Sequence, residues 1–114
     1  MLPEANRLKS NDDFKKIFKY GKISENKFMK IKFLKNFKKC SRFGFIVSNK
    51  FARKAVVRNL SRRRLRAAAH FLLKNIKPGF DIVIWPKIAL KKISYQILLN
   101  NFKNLLIKND ILSV

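Results

Sequence analysis

The spacing of apolar positions changes along this chain, and each change marks an element. Phe14, Ile17 and Phe18 stand at i, i+3 and i+4, the period of one helix face. Ser10 or Asn11 ahead of them has the chemistry of an N-cap. Asp12 and Asp13 fall in the first turn, where the helix dipole favours acids, and Gly21 closes the segment. Residues 1–9 read as an extended basic arm. Over 28–35 the period drops to two, with Met29, Ile31 and Phe33 on one face and Lys30 and Lys32 on the other, as in a half-buried strand. A short extra strand fits at 22–25. Residues 42–48, RFGFIVS, are denser in apolar and β-branched types and read as a more central strand. The charged NFKKCS between these two strands reads as a hairpin loop.

The longest helical stretch is 55–75. At about 100° per residue, Val57, Leu60, Leu65, Ala68, Phe71 and Leu72 gather on one side. Lys77-Pro78-Gly79 stops it. DIVIW at 81–85 is a short buried strand closed by Pro86, and 95–109 forms a last helix with Ile97, Leu98, Phe102, Leu105 and Leu106 inward. The predicted order is α-β-β-β-α-β-α. Strands mixed with packing helices indicate a single α+β domain over 1–114, with one sheet covered on one face by helices.

Charge changes the picture most. Lys and Arg total 28 against 6 Asp and Glu, a net charge of +22. Such self-repulsion opposes a compact state unless a polyanion neutralises it. A membrane partner is not expected: the apolar run at 67–73 is broken by His70 and is far short of the roughly 20 residues of a span, and the first residues lack a signal-peptide core. Cys40 is the only cysteine, so no internal disulfide forms, as suits a reducing cytoplasm.

The arginines are the specific part of that charge. The chain prefers lysine elsewhere, yet Arg53, Arg58, Arg62, Arg63, Arg64 and Arg66 lie close together. On the helical wheel Arg58, Asn59, Arg62 and Arg66 share one face, with Arg63 at its edge and Arg64 on the apolar side, where it must snorkel outward. The helix contains no acid, so the face forgoes the i,i+4 pairs that normally support a solvated helix. Guanidinium groups bind phosphate bidentately and stack on bases. Ahead of the helix, Lys50, Arg53 and Lys54 flank a loop leading into its N-terminus, itself an anion-binding end. Loop and helix together form one phosphate-binding surface.

No constellation for protein-borne catalysis stands out. The acids are scattered as Glu4, Asp12, Asp13, Glu25, Asp81 and Asp110, and His70 is the only histidine. A metal-dependent nuclease needs a carboxylate cluster, and a metal-independent one an acid–base pair.

The block GFIVSNKFARKAVVRNLSRRRLR at 44–66 resembles the signature of the ribonuclease P protein family. Gly44, Val47, Ser48 and Lys50 match its strand end. Arg58 and Asn59 match the first helix positions, and Arg62, Arg63 and Arg66 the later basic ones. Arg7-Leu8-Lys9, followed by Asp13-Phe14 and Phe18 and closing at Gly21, matches a second family feature. Leu60 stands in place of an arginine, and Ser61 and Arg64 stand where apolar residues are common. The resemblance implies a ribosomal-protein-like α-β sandwich with a left-handed β-α-β crossover. It also implies a division of labour. A catalytic RNA subunit with bound Mg2+ removes the 5′ leader from precursor tRNA, and the protein, inactive alone, grips that RNA and the leader. By the same resemblance, the single-stranded leader lies in a cleft between Phe14 and Phe18 and a strand carrying Met29, Ile31 and Phe33. A phenylalanine pair at helical spacing is equally at home in a core. No obligate protein partner is expected. The alternatives are a small ribosomal protein of similar charge and size, and a self-sufficient endoribonuclease, against which the scattered acids argue.

Overall fold

The first helix begins and ends where its side chains dictate. Ser10 caps it, its hydroxyl accepting the Asp12 N–H at 3.2 Å, and Gly21 closes it by donating its N–H to the Ile17 carbonyl at 2.8 Å. The computed structural model describes residues 2–47, 54–87 and 93–113. Its elements are α1 (Asn11–Tyr20), β1 (Lys22–Glu25), β2 (Met29–Lys35), β3 (Arg42–Phe45), α2 (Ala55–Leu72), β4 (Phe80–Pro86) and α3 (Tyr95–Lys108). The segment ahead of α1 is not the free extended arm expected. Glu4–Asn6 make a single 3-10 turn, and Leu2 and Leu8 are buried. The Leu8 N–H donates to the Phe43 carbonyl at 2.9 Å, so the arm pairs with the outer edge of β3. A covered edge is a protected one.

The strands pair in the order β1-β2-β4-β3. β1 and β2 form the hairpin, and β2 runs antiparallel to β4. β3 lies parallel to β4, with α2 as the connection between them. The expected hairpin across NFKKCS is therefore wrong: β4 sits between β2 and β3. The physical reason is in β4 itself. Ile82 and Ile84 point to one face and Val83 and Trp85 to the other, so only a central position buries both sets. The 36–41 connection then steps across the start of β4. The Asn36 N–H donates to the Gly79 carbonyl at 2.8 Å. Ser41 Oγ accepts the Phe80 N–H at 3.0 Å and donates to the Lys77 carbonyl at 2.6 Å.

Helices cover both faces of the sheet, not one as the pattern suggested. Met29, Ile31, Phe43, Ile82 and Ile84 pack against Leu65, Ala68, Ala69 and Leu72 of α2 and Leu98, Phe102 and Leu106 of α3. The opposite face carries Val83, which packs with Leu8 and with Ile17 of α1. α1 is pinned there by an ion pair as well. Arg42 on β3 holds the buried Asp81 through Nε and Nη2 at 2.8 and 2.6 Å, and reaches Asp13 with Nη1 at 3.1 Å. Asp13 thus does more than meet the helix dipole. The hydrogen bond to Asp81 is also the main reason the Arg42 pKa is raised above its ordinary value.

The buried side of α2 is Val57, Ser61, Leu65, Ala68, Ala69 and Leu72. Two of the expected inward residues differ. Leu60 is only half-buried, and Phe71 is 65% exposed. The small Ser61 and Ala69 complete the inward stripe instead, and let the helix approach the sheet closely. Arg64 snorkels as predicted, its Nη1 donating to the Ile93 carbonyl at 2.7 Å. In α3, Leu99 replaces Ile97 on the inward side. No helix among the described residues is long and apolar enough to cross a membrane.

Candidate nucleic-acid interface

α2 builds the basic face because its inward stripe is on the opposite flank. Lys54 is the N-cap and its side chain makes no capping bond; no acid stands in the first turn. That end of the helix therefore keeps its positive dipole uncompensated by its own sequence. Lys54, Asn59, Arg63 and Arg66 are exposed, while Arg58 and Arg62 are partly covered. Asn59 Oδ1 accepts from Arg62 Nη1 at 3.1 Å, which orients that guanidinium along the face. Asn59, Arg62, Arg63, Arg66 and Ala67 line an open groove of about 680 Å³. Five of the predicted contact residues, Arg58, Asn59, Arg62, Arg63 and Arg66, are thus brought onto one side of one helix, with Lys54 at its start. Lys50 and Arg53, and Ser48 of the matched strand end, lie outside the described residues.

Arg66 belongs to a second concavity. With Arg7, Lys9, Phe14, Gly44 and Phe45 it lines a cavity of about 270 Å³ at the β3 edge. Gly44 makes room there: a Cβ on it would lie 2.7 Å from two atoms of the Phe14 ring. The arginine face and the α1 side of the sheet are therefore continuous around this edge.

The aromatic cleft is where the sequence reading needs correction. Phe14 and Phe18 do face the sheet, but Met29 and Ile31 are fully buried on the far face, against α2 and α3. Phe33 joins them there and meets the Phe80 ring edge-on at 6.4 Å. These three cannot line a cleft under α1. The alternation itself was right; what it could not tell was which face α1 covers. The residues that do stand beside α1 are those read as solvent-facing, Lys30 and Lys32, with Trp85 of β4. Phe18 is 42% exposed, with its ring centroid 5.7 Å from that of Trp85 and 6.3 Å from that of Phe14. Lys30 Nζ lies 5.7 Å from the Trp85 centroid, a cation–π contact, and Lys32 Nζ donates to the Phe18 carbonyl. The signal in the sequence was DIVIW, apolar on both alternating faces and hence covered on both.

Among the described residues, no three His, Cys, Asp or Glu side chains come together as a metal site would require. These residues therefore build no carboxylate cluster of the kind a protein-held metal centre uses.

The chain is similar to known proteins in sequence and in fold. The sequence model of the family Ribonuclease P matches residues 2–110. The chain is 37% identical over 110 residues to the ribonuclease P protein component of Picosynechococcus, covering 96% of this chain and 95% of that protein. It is 38% identical over 105 residues to that of Clostridioides difficile, covering 91% of each. Among solved structures it is similar to the RNase P protein of Thermotoga maritima, with a TM-score of 0.80, 35% identity and coverage of 88% of this chain and 94% of that one. It is also similar to the RNase P protein of Staphylococcus aureus, with a TM-score of 0.84, 25% identity and coverage of 96% and 100%. A match over nearly the whole length, in sequence and in fold, leaves one conclusion: the chain belongs to the ribonuclease P protein family.

Proposed function

We propose that the protein is the RNA-gripping, non-catalytic part of its holoenzyme, with α2 on the catalytic RNA and the α1 face on the precursor's 5′ leader. Family membership makes it a component of ribonuclease P, the endoribonuclease of tRNA 5′ maturation, and associates it with the ribonuclease P RNA. A separate life as a ribosomal protein is not favoured.

The observation that carries the division of labour is the gathering of Asn59, Arg62, Arg63 and Arg66 on one helix face, in a chain where five of the six acids pair with other cations. Glu4, Asp13, Glu25, Asp81 and Asp110 pair with Lys9, Arg42, Lys77 and Lys87. Arginines fixed in such a row can clamp a phosphate backbone. On the α1 side, Phe18 and Trp85 offer ring faces and Lys30 and Lys32 the cations beside them. That combination suits a single strand of variable sequence, because every base has a face to stack. The continuity through Arg66 and Lys9 supports one nucleic-acid path around the β3 edge. In this reading Mg2+ is bound by RNA phosphates, and the protein's part is to hold and align. RNA processing and a single unpaired thiol are both at home in the cytoplasm.

The test is cleavage of a 5′-labelled precursor tRNA by protein, by RNA subunit, and by both. The expected result is no cleavage by protein alone at any magnesium concentration, and cleavage by the pair at lower magnesium and higher salt than by RNA alone. Metal-dependent cleavage by RNA-free protein would refute the division of labour.

A further inference from the structure

Phe37 is 93% exposed, the most exposed of the large apolar side chains among the described residues. Its backbone is also unusual: φ is +59°, a left-handed conformation that is unfavourable for a residue with a Cβ. Asn or Gly would be the ordinary choice at such a position. The turn that holds it is firmly tied. Asn36 Oδ1 accepts the Lys38 N–H at 2.7 Å, while Asn36 Nδ2 donates to Asp81 Oδ1 at 2.8 Å and to the Cys40 carbonyl at 3.3 Å. The Asn36 N–H is fixed on the Gly79 carbonyl. An aromatic ring is thus held out in water on a braced turn, at a cost in both backbone strain and hydration.

Its surroundings say what could repay that cost. Lys35, Lys38 and Lys39 are exposed around it. Beside the ring, Lys35, Lys38, Pro78, Gly79 and Phe80 complete an open groove of about 420 Å³, with apolar walls and a cationic rim. The site is separate from the arginine face. α2 starts beyond the end of β3 and finishes before the start of β4, and Phe37 lies at that β4 start. α2 is about 27 Å long with Lys54 at its other end, and no residue that lines this groove lines the arginine groove.

We propose that Phe37 is a stacking platform for one unpaired nucleotide of bound RNA, with Lys35 and Lys38 meeting the phosphates on either side of it. The inference rests on the reading of the protein as an RNA-binding subunit, and adds a contact on a surface which that reading does not use. The nucleotide can come from the RNA subunit or from the precursor.

Two affinities separate these sources: that of the protein for the RNA subunit, and that of the assembled holoenzyme for precursor tRNA. Phe37→Ala is expected to weaken one of them by at least about fivefold, the lower end for loss of a base stack. Phe37→Tyr is expected to stay within about twofold of the wild type, because it keeps the ring. Phe37→Gly separates binding from folding: relief of the left-handed strain keeps or raises Tm while affinity falls as for Ala. Both affinities unchanged in Phe37→Ala would overturn the proposal, as would an equal loss in Phe37→Tyr. So would a loss seen only against anionic phosphatidylglycerol vesicles, which would make the turn a membrane contact. If the wild-type protein binds neither RNA, it is the underlying reading that fails.

Discussion

Phe18 is the residue on which the leader reading turns. Its ring is half in water and half against Trp85, so the two roles of a phenylalanine on a helix, core and contact, coexist in one side chain. Phe18→Ala should weaken holoenzyme binding of precursor tRNA carrying a leader by roughly 1–3 kcal/mol, the worth of a stacked base. Binding of mature tRNA should not change. Titration of both RNAs against the same holoenzyme checks this, and equal losses would assign Phe18 to packing alone. Much at this scale was legible beforehand: the Ser10 cap, the arginines, the outward reach of Arg64. Legibility failed where a residue's role depends on a neighbour distant in sequence. Asp13 read as a dipole partner, and Arg42 gave it a second role. Met29 and Ile31 line a core and not a cleft, because alternation separates two faces without saying what covers each.

At the scale of elements, α2 combines two demands on one cylinder. Its inward stripe needs small and apolar residues to seat on the sheet, and its outer flank is given to Asn59, Arg62, Arg63 and Arg66. Each arginine that meets a phosphate displaces counterions, so affinity for the RNA subunit should fall with salt. Arg62→Ala should shallow the slope of log K against log salt by about one unit. Circular dichroism should show the helix intact. An unchanged slope in a folded variant would mean that the face points away from the RNA. The helices and strands themselves were legible from periodicity, to within one to three residues at most ends. Strand order was not. The 36–41 connection is short and polar enough for a hairpin, and only the two-sided burial of β4 explains why it crosses another strand instead.

The whole molecule carries a net charge of +22, and the five ion pairs among the described residues use few of its cations. Three of them, Lys9–Glu4, Lys77–Asp110 and Lys87–Glu25, are largely exposed and contribute little. Repulsion is therefore a global term, and any polyvalent anion that binds the folded surface should stabilise it. Tm measured in rising sulfate or pyrophosphate should climb, and more steeply than in chloride at matched ionic strength. A Tm that follows ionic strength alone would show simple screening. The partner's chemistry was legible in composition, and the packing of helices on both faces was not. The place of β4 has a consequence for biosynthesis. The last strand to leave the ribosome is the one that joins β2 to β3. Until residue 86 has emerged, the nascent chain holds a two-stranded ribbon, an orphaned third strand and an arginine-rich helix with no floor to dock on. The most cationic stretch of the protein thus passes through the translation machinery, itself made of RNA, before the fold that disciplines it exists. Synthesis at about 5–20 residues per second makes that interval seconds long, time in which the emerging chain needs shielding from the wrong RNA.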